Sequence, residues 1–162
     1  MLRLEIVRTA TPIDLAAVGL LSNLLGSTDI KTSMSSERKG MSRRAADTAK
    51  KLCQNCPSGL KTATFEAPGY EYVNLYLDNT PCLGVVGSSI LSVNTRCSVT
   101  ADCKAKTFSF GCTSSWQMRD EFTNPASRGE QGNSGKPFDF PFSKRFDINA
   151  DWAEFFAGGG NL

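Results

Sequence analysis

Apolar residues recur at helical spacing in the first third of the chain and predict two helices. The first begins at Thr11-Pro12, a typical cap followed by a proline in the first turn, and ends at Gly26. The second runs from about residue 35 to 53, with a narrow apolar stripe formed by Met41, Ala45, Ala49 and Leu52. Small residues on that stripe predict close packing against another layer.

Alternation of apolar and polar residues predicts strands in the middle of the chain. Tyr70–Leu77 has its tyrosines on one face, and Thr107–Cys112 brings two phenylalanines and a cysteine to one side. Shorter candidates lie at residues 82–86 and 90–93. Together these patterns predict an antiparallel sheet of three or four strands.

The last quarter of the chain is polar at first and then rich in aromatic residues. Residues 124–137 contain glycine, proline and polar residues, which is typical of a linker. We expect the region beyond it to be extended, with a short helix at 150–157 that ends at Gly158-Gly159-Gly160. Seven aromatic side chains follow the linker, namely Phe138, Phe140, Phe142, Phe146, Trp152, Phe155 and Phe156.

These elements predict an α+β fold with two N-terminal helices, a small antiparallel sheet and an extended aromatic-rich C-terminal segment joined by much irregular loop. We expect a helical and small-sheet core domain at 1–123, a linker at 124–137 and an aromatic docking tail at 138–162. An aromatic side chain that is not buried inside the molecule exposes a large apolar area, which favours a partner that covers it.

The charges of the chain are nearly balanced overall but are unevenly distributed along the sequence. The 162 residues carry 18 basic and 16 acidic side chains, a net charge of +2, but residues 37–51 hold six basic and two acidic ones. Opposite or beside the apolar stripe of the second helix lie Lys39, Arg43, Arg44, Lys50 and Lys51. This pattern favours an acidic protein partner, with nucleic acid as a weaker alternative and a solvated helix face as the simplest interpretation.

The chain contains no histidine, which excludes a Ser-His-Asp triad and attached c-type haem. No acidic residue is singled out as a catalytic carboxylate, so we expect a non-enzymatic protein. Cys53 and Cys56 form a C-x-x-C at the end of a helix, and no second close pair completes a zinc site. We expect a local disulfide or two buried thiols there, and no metal.

The remaining cysteines permit covalent attachment of a pigment. A linear tetrapyrrole needs a cysteine in a pocket with a carboxylate nearby, and the candidates are Cys82, Cys97, Cys103 and Cys112 with Asp78 and Asp102. In composition the chain resembles the weakly basic, loop-rich linker polypeptides of phycobilisomes, some of which carry bilins on cysteine. That resemblance implies a pigment-carrying linker of a light-harvesting antenna as an alternative function.

The N-terminus does not predict a cleaved signal peptide, since the acidic residues Glu5 and Asp14 precede its apolar run and that run is too short to span a bilayer. We therefore expect an organellar or cytoplasmic protein rather than a secreted one. Missing catalytic groups, segregated charge and a small core together predict a structural or linker subunit, which docks onto a larger assembly through the basic helix and the aromatic tail.

Overall fold

A computed structural model describes residues 13–54, 58–75, 88–122 and 146–162. Its elements are β1 (Ile13–Asp14), α1 (Leu21–Gly26), α2 (Thr28–Gln54), β2 (Leu60–Asn74), β3 (Ser88–Asp102), β4 (Thr107–Phe122) and β5 (Phe146–Asn161). Strands β2 to β5 pair antiparallel in chain order, and the short β1 pairs parallel with β5. The α+β class is therefore confirmed.

The helices differ from the prediction in their bounds. α2 begins at Thr28 rather than near residue 35, because the hydroxyl of Ser27 accepts a hydrogen bond from the Ile30 N–H at 3.3 Å and caps the helix. The first helix is only six residues long. The alanine-rich stripe of α2 is confirmed, since Met41, Ala45 and Ala49 are buried against the sheet.

The four antiparallel strands are each 15 or 16 residues long, whereas the longest predicted strand, Tyr70–Leu77, has eight residues. One face of the sheet packs against α2, and the other carries exposed polar residues and several exposed rings. Tyr70 and Tyr72 share one face of the strand, as predicted, and the structure shows that it is the outer face. Tyr76 and residues 82–86 lie outside the described residues.

The predicted helix at 150–157 is wrong, because these residues pair with β4 throughout. The glycines after it do not stop a helix either. Phe108 and Phe110 lie opposite Gly160 and Gly158, and a methyl group added at Gly158 would come within 2.9 Å of the Phe110 ring. The two rings therefore occupy the space that side chains on β5 would fill. The predicted separate aromatic segment is not confirmed over residues 146–161, which form β5 in the same sheet.

The described residues form two apolar clusters in the core between the helices and the sheet. The first contains Leu24, Ile30, Leu91, Trp116, Met118 and Ile148, and the second contains Met41, Ala45, Ala49, Val99 and Phe110 with the Cys97 and Cys112 side chains. A polar row runs between them across three strands, where Thr95 pairs with Ser114 and Ser114 pairs with Glu154.

Two disulfides reinforce this arrangement. Cys53 at the end of α2 bonds Cys103 in the β3–β4 turn, and Cys97 bonds Cys112 directly opposite it on the neighbouring strand, with their Cα atoms 4.1 Å apart. A bridge within the C-x-x-C was therefore the wrong prediction for Cys53, while Cys56 lies outside the described residues. Because the partner cysteines are 50 and 15 residues apart, only the folded chain reveals the pairing.

Candidate interaction surfaces

The outer face of α2 carries exposed cations without acidic partners. The side chains of Lys39, Arg43, Lys50 and Lys51 are exposed. Within the described residues, the three ion pairs use other arginines, so none of them neutralises these four cations. This surface, called here the basic helix face, is the part of the predicted site that the structure assembles.

Arg44 differs from the other cations of α2. Its guanidinium lies over the ring of Phe65 on β2, 4.9 Å from the ring centroid, a cation–π arrangement. This contact holds Arg44 on the flank of the helix, as the helical spacing predicts. It leaves the charge exposed at the border of the basic helix face.

The described part of the predicted aromatic tail is mostly integrated into the fold. Trp152 stacks on Trp116 with ring centroids 5.9 Å apart and planes 4° apart, and Phe156 packs against the second apolar cluster. Of the described side chains in this segment, Phe155 is the large aromatic one left exposed, at 73%. Phe146 begins β5, while Phe138, Phe140 and Phe142 lie outside the described residues. Trp152 and Phe156 are thus core residues rather than free docking groups.

The candidate pigment cysteines are largely committed to disulfides. Cys97, Cys103 and Cys112 are buried and bonded, so none of them holds the free thiol that a thioether link requires. The carboxylate of Asp102 accepts hydrogen bonds from the backbone N–H groups of Lys104 and Ala105, at 3.0 and 2.9 Å, and shapes the β3–β4 turn. Cys82 and Asp78 lie outside the described residues.

The polar row across the sheet contains carboxylates that the sequence did not single out. Glu37 on α2 accepts a hydrogen bond from the Thr95 hydroxyl at 2.7 Å, and the Thr95 and Ser114 hydroxyls are themselves 2.7 Å apart. On the other side of α2, Arg38 donates a short hydrogen bond to Glu154, which together with their ion pair raises the pKa of Arg38 despite partial desolvation. The sequence did contain an indication that Glu37 faces the sheet, because Glu37 lies one turn before Met41 on the apolar stripe of α2.

The outer face of the sheet carries rings but few unpaired charges. Arg96 pairs with Glu66 and Arg119 with Asp151. A hydrogen bond from the Asn94 amide and a second from Arg96 lower the pKa of Glu66. The exposed tyrosines thus lie on a nearly neutral layer, opposite the basic helix face. Nucleic-acid surfaces that stack bases need cations and rings on the same surface.

Neither a metal centre nor a membrane-spanning helix is found in the described ranges. Among residues 13–54, 58–75, 88–122 and 146–162, no cluster of three cysteine or acidic side chains is arranged to hold a metal ion. No helix in those same ranges is both long and apolar enough to cross a bilayer. Comparison with protein-family models, curated proteins and solved structures finds no match to this chain.

Proposed function

We propose that this protein is a non-enzymatic docking subunit that binds an acidic surface of a larger protein assembly through the basic helix face. The observation that carries this proposal is the row of exposed cations at Lys39, Arg43 and Lys50, none of which forms an ion pair with another described residue. These positions are four and seven residues apart, so they lie on one side of the helix and span roughly 16 Å. Charge of this kind steers association with an oppositely charged surface and fixes its orientation.

The rigidity of α2 supports the same proposal. The buried alanines hold the helix close to the sheet, and the Cys53–Cys103 disulfide fixes its last turn to the β3–β4 turn. A cation row on a fixed helix loses little conformational freedom in its backbone when a partner binds. The described part of the aromatic tail offers fewer groups for docking than the sequence led us to expect. Trp152 and Phe156 pack against the core, and Phe155 is exposed on the outer face of the sheet, away from the basic helix face.

The alternatives receive less support. A pigment-carrying role would rest on Cys82, because the other three candidate cysteines are in disulfides. A nucleic-acid module would rest on cations that lie on the layer opposite the exposed tyrosines. The sequence led us to expect an organellar or cytoplasmic protein rather than a secreted one, and the two disulfides favour an oxidising compartment.

Charge reversal tests the proposal. We expect the Arg43→Glu/Lys50→Glu variant to lose at least about tenfold in affinity for poly-L-glutamate, because a close charge pair contributes about 1.5 kcal/mol or more. The matched control is Lys104→Glu/Lys106→Glu, which changes the net charge equally at the exposed β3–β4 turn. Thermal unfolding of both variants checks that the fold is kept.

Two results would contradict the proposal. One is an equal loss of affinity in the reversal and control variants, since it would show that only net charge matters. The other is tighter binding to a DNA duplex than to poly-L-glutamate at matched salt, which would favour the nucleic-acid alternative.

A further inference from the structure

A cleft of about 300 Å³ separates α2 from the edge strand β2. Glu37 and Gly40 lie on its helix wall, and Gly69 and Glu71 lie on its strand wall. Leu91 and Val93 of β3 line it from within the sheet, so its floor is apolar. The cleft lies on the β2 side of the helix and is distinct from the basic helix face.

Both walls of this cleft contain a glycine. A methyl group added at Gly40 would meet no heavy atom within 4 Å, although glycine weakens a helix interior relative to alanine. A methyl group added at Gly69 would lie 3.2 Å from a methyl carbon of Val93 and crowd the floor. Nothing in the packing of the helix therefore requires glycine at position 40, which lies on the wall of the cleft.

The polar groups of the cleft lack complementary partners. Glu37 is half-buried and accepts a hydrogen bond from Thr95, but no cation among the described residues pairs with it or with Glu71. Trp116 also lines the cleft and is 2% exposed, and its indole N–H has no acceptor among the described residues. A half-buried carboxylate without a cation, as at Glu37, and a buried N–H without an acceptor are both unfavourable, whereas Glu71 is exposed.

We infer that this cleft binds a short aliphatic primary amine that also carries a hydroxyl group. The ammonium group pairs with the carboxylates of Glu37 and Glu71, and the hydroxyl oxygen accepts the Trp116 N–H. The methylene chain between them covers Leu91 and Val93. An anion does not fit beside two carboxylates, and the described residues of the cleft include no group of three acidic or cysteine side chains that could hold a metal ion.

Three probes of equal chain length test the assignment on the full-length protein: 4-amino-1-butanol, n-butylamine and 1,4-butanediol. The chain has two tryptophans, Trp116 and Trp152, which stack on each other, and Trp116 lines the cleft. Indole fluorescence therefore reports binding in the cleft. We expect saturable one-to-one binding of the amino alcohol, at least about tenfold weaker binding of butylamine and weaker binding still of the diol. Absence of saturation with the amino alcohol, or equal binding of all three probes, would overturn the inference.

Variants locate the site. Glu37→Gln and Glu71→Gln should each weaken binding at least about tenfold, since each removes a charge-assisted hydrogen bond. Asp47→Asn on the exposed side of α2 makes the same charge change away from the cleft and should have no effect. If all three variants weaken binding equally, the amine is attracted only by overall charge and the cleft is not its site.

Gly40→Ala separates binding from stability. Alanine should raise the thermal midpoint, because it favours the helix. It should at the same time weaken amine binding, because the added methyl group lies on a wall of the cleft. Unchanged binding in this more stable variant would contradict the inference. The variant Arg43→Glu/Lys50→Glu should bind the amine normally, so failure of the docking proposal and failure of this inference are distinguishable.

Discussion

Removal of the Cys53–Cys103 disulfide is the perturbation whose size the structure predicts most directly. This bond joins the end of α2 to the β3–β4 turn and closes a loop with a sequence separation of 50. In the chain-entropy description, a cross-link of this span lowers the entropy of the unfolded chain enough to stabilise the fold by about 4 kcal/mol. The Cys97–Cys112 bond, with a separation of 15, gives about 3 kcal/mol by the same relation.

The expected result for Cys53→Ala/Cys103→Ala is a thermal midpoint lowered by about 8–16 °C, since 1 kcal/mol corresponds to about 2–4 °C in a chain of this size. Cys97→Ala/Cys112→Ala also removes two sulfur atoms from the core, where the residues are 3% and 1% exposed. Packing loss there adds about 1–2 kcal/mol, so the two double variants should be similarly destabilised despite their different loop lengths.

Thermal unfolding monitored by far-ultraviolet circular dichroism, together with intact mass before and after reduction, checks this expectation. The mass should rise by two hydrogens for each disulfide reduced. The reasoning would be refuted if Cys53→Ala/Cys103→Ala unfolded within about 2 °C of the unmodified protein while that protein showed both disulfides by mass. In that case α2 would be held by the apolar clusters alone.

Two further outcomes follow from the strands. Gly159→Ala should lower the free energy of unfolding by at least about 2 kcal/mol in chemical denaturation, because its methyl group would lie 2.4 Å from the backbone oxygen of Phe108. The control Gly111→Ala should be close to neutral, because its methyl group would lie 3.5 Å from the nearest atom, in the Phe155 ring. Equal effects of the two substitutions would contradict this geometry. Glu66→Gln should lower stability at neutral pH and match the unmodified protein in strong acid, because the Asn94 amide lowers the pKa of Glu66 in the folded state. This carboxylate therefore stabilises the fold above its unfolded pKa, and the contribution is lost as the pH falls through the folded value; a difference that persists unchanged in acid would refute it.

Local sequence patterns were sufficient for features that depend on neighbours along the chain. The stripe of Met41, Ala45 and Ala49 predicted which side of α2 is buried, and alternation predicted the common face of Phe108, Phe110 and Cys112. The exposure of Lys39, Arg43 and Lys50 followed from the same helical period. These features need only the regular geometry of one helix or one strand.

The lengths of the strands were not predicted, and the polar row gives the physical reason. Thr95, Ser114 and Glu154 stand at inward positions of β3, β4 and β5, where alternation requires apolar residues. Each therefore interrupts the pattern in the middle of its strand. Their partners on α2, Glu37 and Arg38, are distant in sequence, so nothing local indicates that these polar groups are satisfied inside.

By itself, the sequence determined the α+β class, the buried stripe of α2, its exposed cations and the absence of histidine chemistry. Only the tertiary structure decided the disulfide pairing, the strand formed by residues 146–161 and the cleft between α2 and β2. Each of these depends on groups brought together from distant parts of the chain. The rings of Phe108 and Phe110 pack over the glycines at the end of β5 and favour a strand there. The intrinsic propensity of that glycine-rich segment does not include this packing, so its own sequence does not predict a strand.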